Sequence, residues 1–334
     1  MEDLKLPGGF VTHFFVMLST LMALSFCSSD TLAWEGPAQS PGASLSSFFH
    51  PATYVAGTLS GTTGETAIQD SHFRGNIVAV NNKKDTLQII ARQKRLQVGQ
   101  EMGLAGTDQK IPGQLWSMDL GPSYSHRLEG GDSVGFMSSV GSASNIPFHS
   151  YREVSLQATG TYLLHTDALH SWVFLLSYNN NGSFAPGIPF PFAAYVSVNP
   201  ANHTVICYGI PSFIAWKPSE DWSLKMLYIL PVTTQAEITY QFLKPFKAHL
   251  GFDYAPQIWF RADREDVRRR LFFDQKKASL GVKAVFNDRL YFDLTGSHAY
   301  GRRIYESRRY LDRKTPKTNL APSFQVESEL AYRF

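Results

Sequence analysis

Cysteine is scarce in this chain of 334 residues, because Cys27 and Cys207 are the only two. Cys27 lies in a candidate targeting segment, so the processed chain would keep a single thiol. A single thiol excludes an internal disulfide and any zinc site built on two or more cysteines. We therefore expect a fold that depends on neither cross-link, with no metal and no cofactor.

Long apolar runs and charge are also sparse. No run of 18 or more apolar residues occurs outside the first 30 positions, which excludes a protein with several membrane-spanning helices. Charged residues make up only 18% of the chain and the formal net charge is +3, whereas aromatic residues reach 13%. Aromatic side chains at this abundance are expected on surfaces as well as in a core.

The first 33 residues have the features of an export signal. Residues 14–26 (FFVMLSTLMALSF) form an apolar run too short to span a bilayer, and small residues follow at 31–33. Glu2 and Asp3 outnumber Lys5 where a positive start is usual, and a lipoprotein modified at Cys27 or a retained anchor are the alternatives. We expect residues 1–33 to be a signal peptide and the protein to be exported.

The next segment, 34–73, is expected to be a flexible leader. No charged residue occurs between positions 36 and 64, and Gly, Ser, Thr, Pro and Ala dominate there. Such a composition gives no hydrophobic period to follow.

From position 74 onward, apolar and polar residues alternate in segments of eight to thirteen residues separated by turn-forming residues. Residues 154–164 show this period of two most clearly, and it recurs in 235–242, 246–254, 278–286 and 290–296. About fourteen such segments occur, with 12 or 16 strands as alternatives, and no stretch shows a helical period. The pattern predicts an all-β fold, a closed antiparallel barrel over 74–334.

Two features distinguish a transmembrane barrel from a soluble sandwich. The strands are about as long as a tilted strand that crosses the hydrocarbon, and aromatic residues lie near their ends. The polar faces carry charges in mid-strand, which a watery lumen tolerates and a packed sandwich core does not. The aromatic residues are Trp222, Tyr228, Tyr254, Trp259 and Tyr300, and the charges are Lys225, Glu237, Lys247, Asp253, Lys283 and Asp293.

The last residues of the sequence form another alternating strand, in which Leu330, Tyr332 and Phe334 share the apolar face. A terminal Phe on an amphipathic strand resembles the signal that bacterial outer-membrane barrels present to the barrel assembly machinery. The plain alternative is a soluble protein that ends in a strand. We expect the bacterial outer membrane as the location.

The chain from about 116 to 334 resembles an uncharacterised family of bacterial outer-membrane β-barrel domains with no assigned function. The resemblance lies in residues 172–178 (WVFLLSY), 211–222 (PSFIAWKPSEDW), 252–263 (FDYAPQIWFRAD) and 271–282 (LFFDQKKASLGV). It implies the same fold and location, and no catalytic residues.

A polar row is expected to cross the inner wall. A turn at 287–289 would place Phe286 opposite Leu290 and Lys283 opposite Asp293. Continuing the pairing would place His249 opposite Lys283, and Thr239 opposite His249. The predicted lumen row is Lys225, Thr239, His249, Lys283 and Asp293.

Two long connections, 260–270 and 301–323, are rich in arginine. Their arginines are either solvated surface or contacts to lipopolysaccharide phosphate or another anion, since a guanidinium grips phosphate through two bonds. The predicted contact residues are Arg302, Arg303, Arg308, Arg309 and Arg313.

The expected function is a narrow passive conduit or binding site for a small solute. A structural or adhesive barrel with a filled lumen is the alternative, and a lipid-modifying enzyme is a minor one. Ser297 and His298 lie on opposite faces, and His249 and Asp253 are about 13 Å apart along their strand, so catalysis is not expected. The expected partners are outer-membrane lipid, lipopolysaccharide, the assembly machinery and a small solute, but not nucleic acid.

Overall fold

The computed structural model of the protein describes residues 54–62, 68–99, 101–229, 233–286, 289–310, 312 and 314–334. The predicted signal peptide and the first part of the predicted leader, 34–53, lie outside these residues. No helix in the described part of the chain is long and apolar enough to span a membrane.

One antiparallel sheet contains every strand of the described chain. The strands are β1 Tyr54–Thr62, β2 Ile68–Asn81, β3 Asp85–Val98, β4 Gln114–Arg127, β5 Ser133–Ser144, β6 Val154–His165, β7 His170–Asn179, β8 Phe190–Asn199, β9 Thr204–Gly209, β10 Ser212–Trp216, β11 Trp222–Ile229, β12 Thr233–Leu243, β13 Phe246–Tyr254, β14 Gln257–Trp259, β15 Arg270–Phe286, β16 Leu290–Ser307, β17 Thr318–Asn319 and β18 Ser323–Arg333. In the described residues, two short 3-10 helices, Tyr151–Glu153 and Pro200–Asn202, lie in connections.

The sheet closes into a barrel of 16 wall strands. Neighbours in sequence pair along the wall, and β1 closes it by pairing with β18 from Val55 opposite Tyr332 to Thr62 opposite Gln325. The short strands β14 and β17 extend the edges of β15 and β16. The all-β closed barrel is confirmed, while the estimate of about 14 strands was too low.

Two features that the estimate missed explain the difference. β1 and the first residues of β2 lie within 34–73, where a leader was predicted. The sequence of β1, YVAGTLSGT, is small and uncharged, so its strand state depends on pairing with β18 rather than on a strong local pattern.

The second missed feature is the hairpin of β9 and β10, with six and five residues respectively. When β9 and β10 are counted as two strands, connection 180–189 lies at the same end of the barrel as the other long connections. We call this end the loop end, and the end that holds the 287–289 turn the base.

The outer face of the wall is apolar. Every second residue of a strand turns a large side chain outward, as Trp172, Phe174 and Leu176 do in β7. Other exposed residues include Leu120, Val140, Leu156, Ile238, Leu250, Leu280, Leu294 and Val326. Of the aromatic residues predicted at strand ends, Trp222 and Tyr228 are exposed, but Trp259 is 1% exposed and packs inside the loop end.

Candidate functional site in the barrel interior

The predicted polar row lies on the inner wall, with part of its register confirmed. Lys283 pairs with Asp293, Phe286 with Leu290 and Thr239 with His249, as predicted. Lys225 pairs with Glu237, however, and His249 with Gly281, each two residues from its predicted neighbour. A shift of two residues leaves a side chain on the same face, so all five residues still point inward.

The contacts within this row run through Glu237. Lys283 Nζ lies 2.6 Å from Glu237 Oε2, and Thr239 Oγ1 donates to Glu237 Oε1 at 3.1 Å. The alternation predicts Glu237 on the polar face. The register sets Lys283 opposite Asp293, but the Lys283 side chain contacts Glu237, two strands away.

Asp293 has its own hydrogen bonds. It accepts from Tyr291 Oη at 3.0 Å and from Thr295 Oγ1 at 2.6 Å. Thr295 Oγ1 also lies 3.1 Å from His249 Nε2, but His249 Nδ1 is buried without a partner. Asp293 Oδ1 lies 3.9 Å from His249 Nε2, so Thr295 links the imidazole to the carboxylate.

Charged groups continue around the inner wall through β2, β3, β15 and β18. Lys94 Nζ lies 3.1 Å from Asp70 Oδ2, and His72 Nε2 lies 3.1 Å from Asp70 Oδ1. Lys277 forms an ion pair with Glu327. We call this side of the interior the charged sector.

The opposite side of the interior is apolar, and we call it the apolar sector. Ala194, Val196 and Cys207 are buried there, and Leu163, Val173, Val205 and Phe213 pack against them. Nearer the loop end, the ring of Phe190 lies 5.0 Å from those of both Phe184 and Phe192. The lumen wall is therefore amphipathic around its circumference.

A cavity of about 350 Å³ lies toward the loop end between these sectors. Its lining is rich in hydroxyl and amide groups and contains one carboxylate. The lining residues include Ser117, Asp119, Ser139, Ser155, Gln157, Asn179, Asn181 and Ser183. The interior thus holds space for a small polar group.

An apolar cluster fills the loop end beside the charged sector, and we call it the cap. It joins inward side chains of the wall to side chains of the long connections, and most of its members are almost completely buried. Its members are Ile68, Leu96, Val98, Leu104, Ile111, Leu115, Ala143, Trp259, Leu271, Phe273, Ile304 and Leu320.

Two arginines of the 260–270 connection form buried ion pairs beside the cap. Arg264 Nη1 lies 3.3 Å from Glu153 Oε1, with both side chains at most 2% exposed. Burial lowers the pKa of the Arg264 guanidinium, and the Glu153 carboxylate opposes that change. Arg261, 1% exposed, binds Asp263 and Glu306, and its hydrogen bonds hold the pKa of Asp263 below the usual value.

Solvated surface is therefore the wrong description for several of these arginines. Besides Arg261 and Arg264, Arg270 is buried and donates to the carbonyl oxygens of Arg268 and Asn180. Arg268 and Arg269 remain exposed.

The predicted anion-binding arginines fall into different surroundings. Arg302 is 1% exposed and donates to Ala321 O and Ser323 Oγ, because β16 continues to Ser307 and turns this side chain inward. Its place on a surface loop was wrong. Arg303 pairs with Asp274 at 2.8 Å and Arg308 with Asp266 at 2.5 Å. Arg309 is exposed, and Arg313 lies outside the described residues.

The residues of the predicted insertion signal lie on β18 and at its end. Leu330 pairs with Gly57 of β1 and Phe292 of β16, and the rings of Tyr332 and Phe334 lie 4.7 Å apart. Phe334 is 53% exposed. Their role in assembly stays a prediction.

Comparison with solved structures returns membrane barrels at low similarity. An outer membrane channel from Pseudomonas putida F1 is 10% identical, with 85% of this chain and 96% of that chain covered and a TM-score of 0.34. The TodX deltaS2S3 mutant, a monoaromatic hydrocarbon channel, is 10% identical, with coverages of 89% and 94% and a TM-score of 0.39. A BenF-like porin from Pseudomonas fluorescens Pf-5 is 5% identical, with coverages of 84% and 97% and a TM-score of 0.28.

No family model matches the chain, and no curated protein matches it. The resemblance to an uncharacterised barrel family is therefore unsupported by a family match. TM-scores below 0.5 assign no function to this chain, so a functional proposal has to rest on its own geometry.

Proposed function

We propose that this protein is a bacterial outer-membrane barrel that serves as a narrow passive conduit, or binding site, for a small solute. The observation that carries the proposal is the contrast between the two faces of the wall. The outside exposes large apolar side chains on strand after strand, and the inside carries ion pairs and a polar cavity.

The outer face supports the membrane location. Residues such as Leu176, Leu280 and Val326 are 56%, 65% and 60% exposed in the middle of the wall. Contiguous apolar surface on this scale would aggregate in water, whereas lipid solvates it. A closed sheet also satisfies its backbone within the hydrocarbon.

The interior supports a narrow path. Lys283, Glu237 and Asp293 occupy the inner wall with their charges largely paired or hydrogen-bonded, and the cap covers part of the loop end. A solute would therefore pass beside fixed charges of both signs rather than through a wide pore.

Planar-bilayer recordings of the purified protein test the conduit. We expect small single-channel steps, and we expect Asp293→Asn to shift the reversal potential in a salt gradient toward anion permeation, because it removes one inward negative charge. Asp293→Ala would also lose the hydrogen bonds from Tyr291 and Thr295. If only the Ala variant is less stable, the stability effect comes from these bonds and the selectivity effect from the charge.

A parent protein without conductance steps or solute passage would favour the structural barrel with a filled lumen. The specific support for that alternative is the near-complete burial of the cap residues. Asp293→Ala would then act on stability only.

We also propose that Arg308 and Arg309 contact lipopolysaccharide phosphates at the loop end. Both are exposed, although Arg308 already pairs with Asp266. We expect Arg308→Ala with Arg309→Ala to weaken binding to phosphorylated lipid A, with the largest difference at low salt. Arg268→Ala with Arg269→Ala is the matched control. If both double variants lose the same amount of lipid A binding, the binding depends on the overall positive charge and not on Arg308 and Arg309.

A further inference from the structure

The cavity of about 350 Å³ at the loop end lies against a stretch of wall that carries hydrogen-bonding groups, and we call it the hydroxyl pocket. Leu120, Val140 and Leu156 point outward on β4, β5 and β6, so the residues that alternate with them point inward. These inward residues form two rows across neighbouring strands. One row is Asp119, Gly141 and Ser155, and the other is Ser139, Gln157 and Asn179.

Two connections also line the hydroxyl pocket. Asn181 comes from the 180–189 connection and Ile258 from β14, and Asn181 Nδ2 donates to Ile258 O at 3.2 Å. Pro256, next to β14, adds a second small apolar surface. Wall and connections therefore bound the pocket together, and its volume is near the lower end of the roughly 300–1,000 Å³ that is typical of ligand sites.

Most polar groups of the hydroxyl pocket are free to bind a ligand. In the described chain, no side-chain hydrogen bond occupies Ser139, Ser155 or Gln157. Asn181 Oδ1 and Asp119 Oδ1 are buried acceptors that no donor of the described residues reaches. A hydroxyl group both donates and accepts, so a ligand rich in hydroxyls satisfies both kinds of group.

The hydroxyl pocket carries no unbalanced charge. Among the residues that line it, Asp119 alone is ionisable. Arg92 Nε lies 3.8 Å from Asp119 Oδ1, which is too far for a hydrogen bond but close enough to balance the charge. A charged ligand would lose hydration without gaining a counter-ion, and an apolar ligand would leave the hydroxyl and amide groups unsatisfied.

We infer that the hydroxyl pocket binds a neutral, hydroxyl-rich solute of monosaccharide size, a sugar or a sugar alcohol. Its hydroxyl groups would bond to the side chains of Ser139, Ser155 and Gln157, and its C–H face would lie against Pro256 and Ile258. This inference rests on the proposed function and specifies the class of solute and the place where it binds.

Solutes of similar size but different charge test the ligand class. The neutral probes are D-glucose, D-galactose and D-mannitol, and in slightly acidic buffer D-glucosamine is a cation and D-glucuronate an anion. Ligand-observed NMR on the purified protein in lauryldimethylamine oxide measures binding, because this detergent has no sugar head group to compete. We expect saturable binding of at least one neutral probe, and binding at least about tenfold weaker for both charged probes, since the pocket offers them no counter-ion.

A matched pair of variants tests whether the probe binds in the hydroxyl pocket. Ser139→Ala with Ser155→Ala removes two lining hydroxyls, and the Kd of the bound neutral probe should rise about tenfold or more, since each lost hydrogen bond accounts for about 2–10-fold. Thr159→Val with Ser177→Ala is the control. These two inward hydroxyls bond to each other at 3.1 Å outside the pocket, so the Kd should change by less than about twofold. Gel migration of unboiled samples checks that both variants fold like the parent.

Failure of every neutral probe to bind the parent would overturn the inference, and so would binding of a charged probe as tight as that of the neutral ones. Equal loss of binding in the two double variants would also overturn it. Planar-bilayer recordings distinguish these results from failure of the conduit. Conductance steps without sugar binding would contradict the pocket and leave the conduit in place, whereas sugar binding without conductance steps would contradict the conduit and support the pocket.

Discussion

Trypsin should cut the 260–270 connection about 100-fold faster in Arg264→Leu than in the parent. The change leaves the Glu153 carboxylate, which is completely buried, without its cation. Breaking a buried pair from one side costs about 3–5 kcal/mol. Opening of the cap should relieve this cost. The open connection would then present Arg268 and Arg269, which are exposed cleavage sites, to the protease.

Two variants control this result. Arg308→Leu removes an ion pair whose arginine is 66% exposed, so cleavage should change by less than tenfold, as for surface pairs worth about 0–1 kcal/mol. Glu153→Leu combined with Arg264→Leu should restore much of the resistance, because no charge is then buried alone. Parent-like cleavage of Arg264→Leu would show that the pair does not hold the cap.

Deletion of residues 54–62 should abolish the heat-modifiable barrel. A closed membrane barrel resists detergent, so the unboiled parent is expected to migrate faster on a gel than the boiled sample. The deletion removes β1, the strand that closes the wall against β18. Unpaired backbone groups in hydrocarbon cost several kcal/mol each, so the loss exceeds the stability of an ordinary domain.

The control for this deletion removes nine residues upstream, 40–48, from the part of the predicted leader that lies outside the described residues. It should leave the fast-migrating band intact. A fast-migrating band in the 54–62 deletion would show that the wall closes without β1, as the prediction of a leader over 34–73 implied.

Local pattern predicted the fold and the inward faces, and failed where long connections set the register. Lys283 and Asp293 flank a short turn, so counting residues was enough to pair them. His249 is separated from β15 by the 255–269 connection, and β15 itself carries an irregularity between Asp274 and Lys276. No residue count across such a segment could predict that His249 faces Gly281.

The candidate site was predicted in part for similar reasons. Residues 190–198 are apolar on both faces, so no period of two showed that Phe190 and Phe192 point inward. Arg264 carried the charge of a surface residue, and its acid partner Glu153 is 111 residues away. Only the folded barrel brings such distant partners together.

The pairing of β1 with β18 also constrains how the protein folds. Val55 and Tyr332 lie near opposite ends of the described chain, so the contact that closes the wall has almost the largest sequence separation available. Non-local pairs of this kind form slowly, because chain entropy is lost before the contact compensates for it. Until then, the free edges of β1 and β18 can each template pairing with another chain. A factor that holds these edges apart from other chains would therefore act at the step when the nascent barrel is most prone to aggregate.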